Sequence, residues 1–231
     1  MSCRAWGSSA MQTTTNNYEF RIAELEEYHR KEVLSMACTL ISLVDLRDSY
    51  TGGHSNRVAE YSRGTAVTLG LSYTEMNTVV LAGLLHDIGK IGVPDHVLLK
   101  PGKLTDQEFE LIKKHPEFGW MALKNAPEFE SVALMLLHHH ERVDGKGYPG
   151  NLKGTQIPLG ARIIAVSDSF DALTTDRPYR SARTWNEALD EMYRCRGTQF
   201  AADVLDAFAK SIQTSDKTRH AFKIAAGRRA A

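Results

Sequence analysis

Histidines and aspartates recur along this chain at positions where their types and spacing could build a metal site. His86 and Asp87 end the apolar run LAGLLHD, and His115 stands directly before Pro116. Imidazole and carboxylate ligands suit Fe, Mn, Ni or Zn rather than Cu(I). No cysteine joins the set, which argues against a structural zinc site. The candidate ligands, in chain order, are His54, His86, Asp87, His115, His138, His139, His140 and Asp168.

The three consecutive histidines at 138–140 lie just before the glycine-rich segment DGKGYPG. Neighbouring side chains on a helix point about 100° apart and do not share a face, so the pattern leaves open which of the three binds metal. A lone histidine on an apolar helix is more often a hydrogen-bonded core residue than a ligand. The order HD, HP, HHE and then a later aspartate is hard to produce by chance, and we therefore favour a metal site.

The elements that must position these residues are predicted to be helices. From Tyr18 to about Leu46, apolar residues recur at steps of three and four. Residues 18–32 of this segment are either the start of the first domain helix or a protruding signalling or dimer helix. Three capping boxes predict helices near 74–88, 106–124 and 185–196: Ser72 with Glu75, Thr105 with Glu108, and Thr184 with Glu187.

The segment ARIIAVSDSFDAL is ambiguous, because RIIAV alone could form a buried strand. No second β run exists to pair with it, so we predict a helix there and an all-α fold overall. Residues 1–17 are small and polar and are predicted to be disordered, and residues 213–231 are predicted to form a C-terminal helix or tail.

Composition excludes several classes of function. The formal net charge is zero, which gives no reason to expect a nucleic-acid polymer or an anionic membrane as partner. No apolar run is long enough to span a bilayer, and the N-terminus lacks the hydrophobic core of a signal peptide. The odd, widely spaced cysteines Cys3, Cys38 and Cys195 fit a reducing cytoplasm rather than a disulfide framework.

Several motifs together resemble the HD-GYP family of phosphohydrolases. They are YTGGHS (50–55), LLHDIGKIGVPD (84–95), KPGKLTDQE (100–108), HP (115–116), HHERVDGKGYP (139–149), ARIIAVSDSFDALTTDRPYR (161–180) and the weaker GTQF (197–200). The resemblance implies an HD-type helical bundle with a GYP loop extension over residues 35–212, preceded by an amphipathic linker or signalling helix at 18–34. It also implies cleavage of cyclic di-GMP at a site of two or three metal ions.

The resemblance assigns metal-ligand roles to particular residues. The family pattern HHE makes His139 and His140 ligands and leaves His138 as a neighbour or core histidine. Divergent adjacent imidazoles agree with this, because two ions can take ligands from one helix end in two directions. Asp87 resembles the bridging carboxylate, and Glu141 is expected to accept a hydrogen bond from a ligand histidine. The expected ligands are His54, His86, Asp87, His115, His139, His140 and Asp168.

One departure from the family concerns the number of ions. Members with three metals carry a glutamate four residues before the first histidine, and here that position is Tyr50. We therefore predict two divalent ions, with Fe or Mn favoured and Ni, Co or Zn also compatible. A metal-bridging hydroxide is expected to attack phosphorus in line, giving pGpG or, after a second cleavage, GMP.

Other residues are assigned to catalysis and substrate binding through the same resemblance. Lys90 follows His86 by four residues, so a continuing helix would point it into the cluster as a phosphate contact or proton donor. Asp87 is the second catalytic candidate. The residues expected to hold the nucleotide are Asp171, Arg177, Arg180 and Tyr148, with the arginines suited to bidentate phosphate contacts. The loop around Gly147, Tyr148 and Pro149 could instead only terminate the preceding helix, or could dock a diguanylate cyclase domain.

Two alternatives to a cyclic di-GMP phosphodiesterase stay open. The chain could be an HD phosphohydrolase acting on another nucleotide, although DRPYR and GYP argue against this. It could also be a catalytically silent module for binding or docking, although the HD and HHE residues are all present. A homodimer through the N-terminal helix is a further expectation.

Overall fold

The computed structural model describes residues 6–47, 53–176 and 181–227, and the regular elements in these ranges are all helical. This confirms the predicted all-α fold, including the helix across ARIIAV. Three short 3-10 helices, Ile88–Gly92, Pro127–Phe129 and Gly154–Gln156, interrupt the series. The α-helices are α1 Trp6–Arg47, α2 His54–Thr68, α3 Tyr73–Leu85, α4 Asp95–Leu98, α5 Asp106–Ile112, α6 His115–Leu123, α7 Glu130–His138, α8 Leu159–Thr174, α9 Trp185–Arg194 and α10 Ala202–Gly227.

The chain divides into two compact units, Met1–Thr39 and Leu40–Ala231. The first unit consists largely of α1, on which the apolar side chains Leu25 and Met36 are 64% and 67% exposed. Helix α1 begins at Trp6, earlier than the predicted start at residue 18, and α10 continues through the predicted boundary at residue 212. The division into segments 1–17, 18–34, 35–212 and 213–231 stays a prediction.

The core of the second unit lies where α2, α3, α8 and α10 meet. Phe170 on α8 is fully buried, and its ring centroid lies 5.3 Å from that of Tyr61 and 5.0 Å from that of Phe208. Edge-to-face contacts of this kind add to the free energy gained by burying apolar area. The aromatic cluster joins α2, α8 and α10, and so holds together helices that carry site residues.

All three predicted capping boxes are present. In each, the side chain of Ser72, Thr105 or Thr184 accepts a hydrogen bond from the backbone N–H three residues later. The glutamate at that later position accepts one from the backbone N–H of the capping residue. These caps satisfy amide groups that have no partner within the helix. The predicted helices therefore begin where the sequence indicated.

The predicted single helix at 106–124 is wrong, because the structure has α5 and α6 with a break between them. Proline has no N–H, so Pro116 cannot donate to the carbonyl of Ile112 four residues earlier. The His115 Nδ1–H donates to that carbonyl instead, at 2.8 Å. The proline thus ends one helix and also frees the acceptor that orients a site histidine.

The glycine of HDIGK permits close packing of the 3-10 helix Ile88–Gly92 against α6. A Cβ at Gly89 would lie 1.9 Å from the carbonyl oxygen of His115 and 2.5 Å from the amide nitrogen of Gly119. Only glycine fits there without moving the backbone that carries His115. None of the helices in the described ranges combines the length and hydropathy that a bilayer-spanning segment needs.

Candidate metal centre

All but one of the predicted ligands come from the ends of several helices, and the set meets on the floor of one cleft. His54 is the first residue of α2 and His115 the first of α6, while Asp168 lies within α8. His86 and Asp87 directly follow α3, and His139 and His140 directly follow α7. Side chains at helix ends can reach a shared point without the helices having to cross there. Two groups could each hold an ion: His54, His86 and Asp87, and His115, His139 and His140.

Asp87 lies between these two groups. Its Oδ2 is 3.4 Å from His86 Nε2 and 3.8 Å from His54 Nε2. Its Oδ1 is 3.4 Å from His115 Nε2 in the other group. Each oxygen therefore faces one group, which is the arrangement that a carboxylate bridging two ions requires. Asp168 joins the first group, with its Oδ1 3.4 Å from His54 Nε2.

Backbone carbonyls orient three of the imidazoles in the same way. The Nδ1–H groups of His86, His115 and His139 each donate to the carbonyl oxygen three residues earlier, at 2.8, 2.8 and 2.6 Å. Because a carbonyl can only accept, each Nδ1 carries the proton. The Nε2 atoms of all three rings therefore point into the cleft floor, as metal ligands held by a second hydrogen bond usually do.

The contacts between Nε2 atoms test whether these residues fit a metal. His115 Nε2 and His139 Nε2 are 3.3 Å apart, and so are His54 Nε2 and His86 Nε2. His115 and His139 are neutral rings whose Nδ1 carries the proton, so two acceptor lone pairs face each other at close range in that pair, whereas in the other pair a proton on His86 Nε2 can lie between the two nitrogens. A cation shared by His115 and His139 satisfies both lone pairs. The donor set therefore fits divalent ions.

The electrostatics divide the histidines into two classes. Burial lowers the pKa of His139 well below its usual range and, together with the nearby His115, lowers the pKa of His140 to about 4. These rings are neutral near pH 7 and can act as ligands. Burial also lowers the pKa of His86, but the carboxylates of Asp87 and Asp168 outweigh burial and raise it to about 9.

Two further side chains, which the sequence did not link to His54, hold its imidazole in place through hydrogen bonds. The Nδ1–H of His54 donates to Asp171 Oδ2 at 2.7 Å. Arg57 donates to both oxygens of the same carboxylate, at 2.5 and 3.0 Å. Asp171 is buried and also lines the cleft. The spacing of His54 and Arg57, three residues apart at the start of a helix, was the available signal for this contact.

Lys90 reaches the site by a different route from the one predicted. Helix α3 ends at Leu85 and does not continue to Lys90, which instead lies in the 3-10 helix Ile88–Gly92. Its Nζ is 2.9 Å from Asp87 Oδ2. Lys90 therefore lies beside Asp87 without the continuing helix on which the expectation depended, and its role in catalysis stays a prediction. The lysine therefore adds a positive charge next to the bridging carboxylate.

Glu141 binds the GYP loop and not a ligand histidine, which corrects the sequence prediction. Its buried carboxylate accepts hydrogen bonds from the backbone N–H groups of Gly150 and Leu152, at 2.5 and 3.1 Å. The imidazole beside it is that of His138, with Nδ1 3.5 Å from Glu141 Oε1. His138 belongs to neither candidate metal group. The HHE motif therefore joins the ligand-bearing turn to the loop that follows it.

The GYP loop packs tightly on the same turn. A Cβ at Gly147 would lie 2.4 Å from both the amide nitrogen of Arg142 and the Cα of Glu141. The Tyr148 ring lies 4.9 Å from the His140 ring, and burial raises the pKa of its hydroxyl. The backbone N–H of Asp144 donates to the carbonyl of Thr198 at 2.9 Å, so the GTQF segment is hydrogen-bonded to the start of the GYP loop.

The metal groups open into a cleft of about 460 Å³, a size typical of small-molecule sites. Two of the four predicted substrate contacts, Asp171 and Tyr148, line it. Arg177 and Arg180, the other two, lie outside the described residues, as does Tyr50. The roles of all four in substrate binding stay predictions.

Comparison with known proteins agrees with this geometry. The chain is 38% identical over 212 residues to the cyclic di-GMP phosphodiesterase response regulator RpfG of Xanthomonas campestris pv. campestris, covering 91% of this chain and 56% of that protein. It is 40% identical over 162 residues to the 3'3'-cGAMP-specific phosphodiesterase 1 of Vibrio cholerae, covering 70% and 38%. The chain thus spans about half the length or less of these relatives.

A solved structure supports the fold. Bd1817, an HD-GYP-type protein from Bdellovibrio bacteriovorus, matches with a TM-score of 0.58 at 21% identity, over 69% of this chain and 51% of that one. The sequence profile of the HD domain family matches residues 38–204. The chain therefore belongs to the HD domain family. With Gly147, Tyr148 and Pro149 in the loop after HHE, it is an HD domain of the HD-GYP type, as the sequence resemblance predicted.

Proposed function

We propose that this chain is a metal-dependent phosphodiesterase that hydrolyses cyclic di-GMP, with pGpG or GMP as the product. The observation that carries the proposal is the position of Asp87, whose two oxygens face two separate histidine groups. A pair of sites joined by one carboxylate is the arrangement used for in-line attack on phosphoryl groups. The similarity to a cyclic di-GMP phosphodiesterase points to the same substrate.

The ions supply two things when bound: a water of lowered pKa as nucleophile, and neutralisation of charge on the phosphate oxygens. The protein supplies position. Backbone carbonyls and Asp171 fix the imidazole rings, and Asp87 spans the two groups. Lys90, 2.9 Å from Asp87 Oδ2, is proposed to contact a phosphate oxygen or to donate a proton to the leaving oxygen.

Fe or Mn is the proposed metal, with two ions per chain. Imidazole and carboxylate donors accept both of these, and also Ni, Co and Zn, so availability can decide occupancy. The substitution of Tyr50 for the family's extra glutamate supports two ions over three.

Residues at the cleft are proposed to hold the nucleotide. Arg177 and Arg180 would grip phosphate through bidentate contacts, and Tyr148 would contact the sugar or phosphate. Both oxygens of Asp171 already accept hydrogen bonds from His54 or Arg57, so a contact of Asp171 with the substrate would use a remaining lone pair.

A second candidate substrate is 3'3'-cGAMP. The similarity to a phosphodiesterase specific for that dinucleotide favours it, because identity to that relative is 40%, comparable to the 38% for the cyclic di-GMP enzyme. Both substrates contain a phosphodiester ring, so the metal centre alone gives no preference for one of them over the other.

Interactions beyond the substrate are part of the same proposal. The GYP loop is a candidate docking surface for a diguanylate cyclase domain, and α1 is a candidate homodimer helix. The cysteine usage, with Cys195 present as a free thiol, supports a reducing cytoplasm.

The test combines metal content with turnover. The chain is purified anaerobically, metals are counted per protomer, and cyclic di-GMP and 3'3'-cGAMP are followed by chromatography. We expect close to two metals and the appearance of pGpG or GMP, both lost in His86→Ala. His96→Ala, at an exposed histidine on α4, is the matched control and should keep both.

Three other results would change the proposal. Bound metal without turnover of either cyclic dinucleotide would favour another nucleotide or a silent binding module. Preference for 3'3'-cGAMP would select the second candidate. A metal count near three would contradict the inference drawn from Tyr50.

A further inference from the structure

One wall of the cleft is apolar and contains no metal ligand. It is formed by Leu98 at the end of α4, Leu104 in the loop after it, and Phe109 and Ile112 on α5. The Phe109 side chain is 46% exposed, although it lines a concave site. An exposed aromatic ring beside a polar floor suggests that the wall contacts a ligand with an apolar face.

The wall leads directly to the metal centre. Phe109 and Ile112 are three residues apart on α5 and share one face, and His115 follows at the start of α6. Exposure falls along this series from Phe109 at the mouth to His115, which is buried. Six residues of near-helical backbone span roughly 9 Å, so a ligand could touch Phe109 while its phosphate lies at the histidines.

Three ammonium groups lie near the aromatic ring, and each is paired with a carboxylate: Lys113 with Glu110 at 2.6 Å, Lys90 with Asp87 at 2.9 Å and Lys100 with Glu108 at 2.6 Å. The Lys113 ammonium lies 5.1 Å from the centroid of the Phe109 ring and 5.7 Å from that of Tyr148. Lys90 lies deeper, at Asp87, and it and Lys100 also line the cleft. A flat apolar surface next to ammonium groups is complementary to a nucleotide, in which an aromatic base stands beside a phosphate.

We propose that Phe109, with Leu98 and Leu104, forms the subsite for one purine base of the substrate, with the base stacked on the phenyl ring. This inference rests on the proposed function, because it places a base next to a phosphodiester held at the metal centre. Stacking tolerates any purine, since every base has an aromatic face. The subsite therefore explains affinity for purine dinucleotides and not a choice between guanine and adenine.

The test measures binding and turnover in Phe109→Ala and Phe109→Tyr. Calorimetry on the metal-loaded chain gives Kd for GMP and for ribose 5-phosphate, which lacks the base. Base stacking is worth about 1–3 kcal/mol by alanine substitution, so we expect Phe109→Ala to weaken GMP binding by roughly 5- to 150-fold. Binding of ribose 5-phosphate should not change, and Phe109→Tyr should restore GMP binding. The KM for cyclic di-GMP should rise in Phe109→Ala with little change in kcat.

Tyr73→Ala is the matched control, because Tyr73 is an exposed aromatic residue that does not line the cleft. It should leave both Kd values unchanged. Equal effects of Phe109→Ala on GMP and ribose 5-phosphate, or no effect on either, would overturn the subsite. If the unmodified chain hydrolyses no cyclic dinucleotide, the proposed function fails, while the two Kd values still decide whether Phe109 binds a base.

Discussion

At the residue scale, the site depends on which group accepts the hydrogen bond from the Nδ1–H of each imidazole. His86, His115 and His139 each donate to the carbonyl three residues earlier, and His54 donates to Asp171. These bonds leave the four Nε2 atoms directed at two small volumes joined by Asp87. A metal can then bind without reorienting the rings, so less of its binding free energy is lost in ordering them.

The raised pKa of His86 predicts that metal binding releases protons. With a pKa of about 9, the ring is protonated below that pH, and an ion must displace the proton to bind Nε2. Affinity should therefore rise with pH, by up to roughly tenfold per unit between pH 6 and 8. Calorimetry of the metal-free chain in buffers of different ionisation enthalpy should detect at least about one proton released per protomer at pH 6. Affinity that does not vary with pH, with no proton release, would contradict the pKa of His86.

Glu141 is predicted to matter for stability as well as for activity. Glu141→Ala removes the buried carboxylate that accepts hydrogen bonds from the backbone N–H groups of the exposed Gly150 and the half-buried Leu152, and a hydrogen bond to a charged group contributes about 1.5–3 kcal/mol to stability. Urea unfolding should show a loss of at least that size. The control Glu60→Ala, at an exposed residue on α2, should stay within about 0.5 kcal/mol. Equal stability of the two variants would mean that the loop is not held by this carboxylate.

At the scale of elements, the candidate ligands other than Asp168 lie where helices begin or end. Pro116 ends the preceding helical hydrogen bonding and frees the Ile112 carbonyl for His115, and Gly89 lets the 3-10 helix approach α6. Gly147 likewise lets the GYP loop approach the turn that contains Glu141. The glycines and proline of the motifs therefore set the distances between backbones, while the histidines and aspartates supply the ligands.

Helix α1 is predicted to associate with a second copy of the chain. Leu25 and Met36 are apolar and largely exposed, and burying them between two helices would remove apolar surface from water. Leu25→Asn or Met36→Asn should therefore lower the mass measured by light scattering at a fixed concentration. Glu27→Gln, on the same helix, is the control and should not. An unchanged mass in both apolar variants would leave α1 without a role in dimerisation.

At the scale of the whole molecule, the metal centre ties together parts of the chain that are far apart in sequence. Its candidate ligands come from α2, α6 and α8 and from the turns after α3 and α7. The aromatic cluster around Phe170 joins α2, α8 and α10 on its own. The core and the metal centre therefore hold partly different sets of helices.

Removing metal should lower thermal stability, because ions bind the folded chain far better than the unfolded one. At a free metal concentration of 100 Kd the contribution is about 2.7 kcal/mol, or roughly 5–10 °C in Tm. Scanning calorimetry with and without a chelator measures this difference. His86→Ala, which disrupts the first ligand group, should respond less to the chelator. An identical Tm in the unmodified chain with and without chelator would contradict a bound metal.

The sequence by itself determined the helical class, the helix starts at the three capping boxes and the set of candidate ligands. These are local properties: a cap involves residues three apart, and HD, HP and HHE are short motifs. It did not determine the break before His115, because the effect of Pro116 depends on what the freed carbonyl binds. It also misassigned Glu141, since a carboxylate beside two histidines has several acceptable partners.

Only the tertiary structure decided which side chains meet. The contact of Arg57 with Asp171 joins residues separated by 114 positions, and the two faces of Asp87 depend on how the 3-10 helix Ile88–Gly92 packs against α6. Such distances follow from the packing of whole helices, and no local pattern encodes them. The same packing brings Phe109 to the wall of the cleft. The sequence pattern around Phe109 indicates only a helix, and its position in the cleft is what makes it a candidate substrate contact.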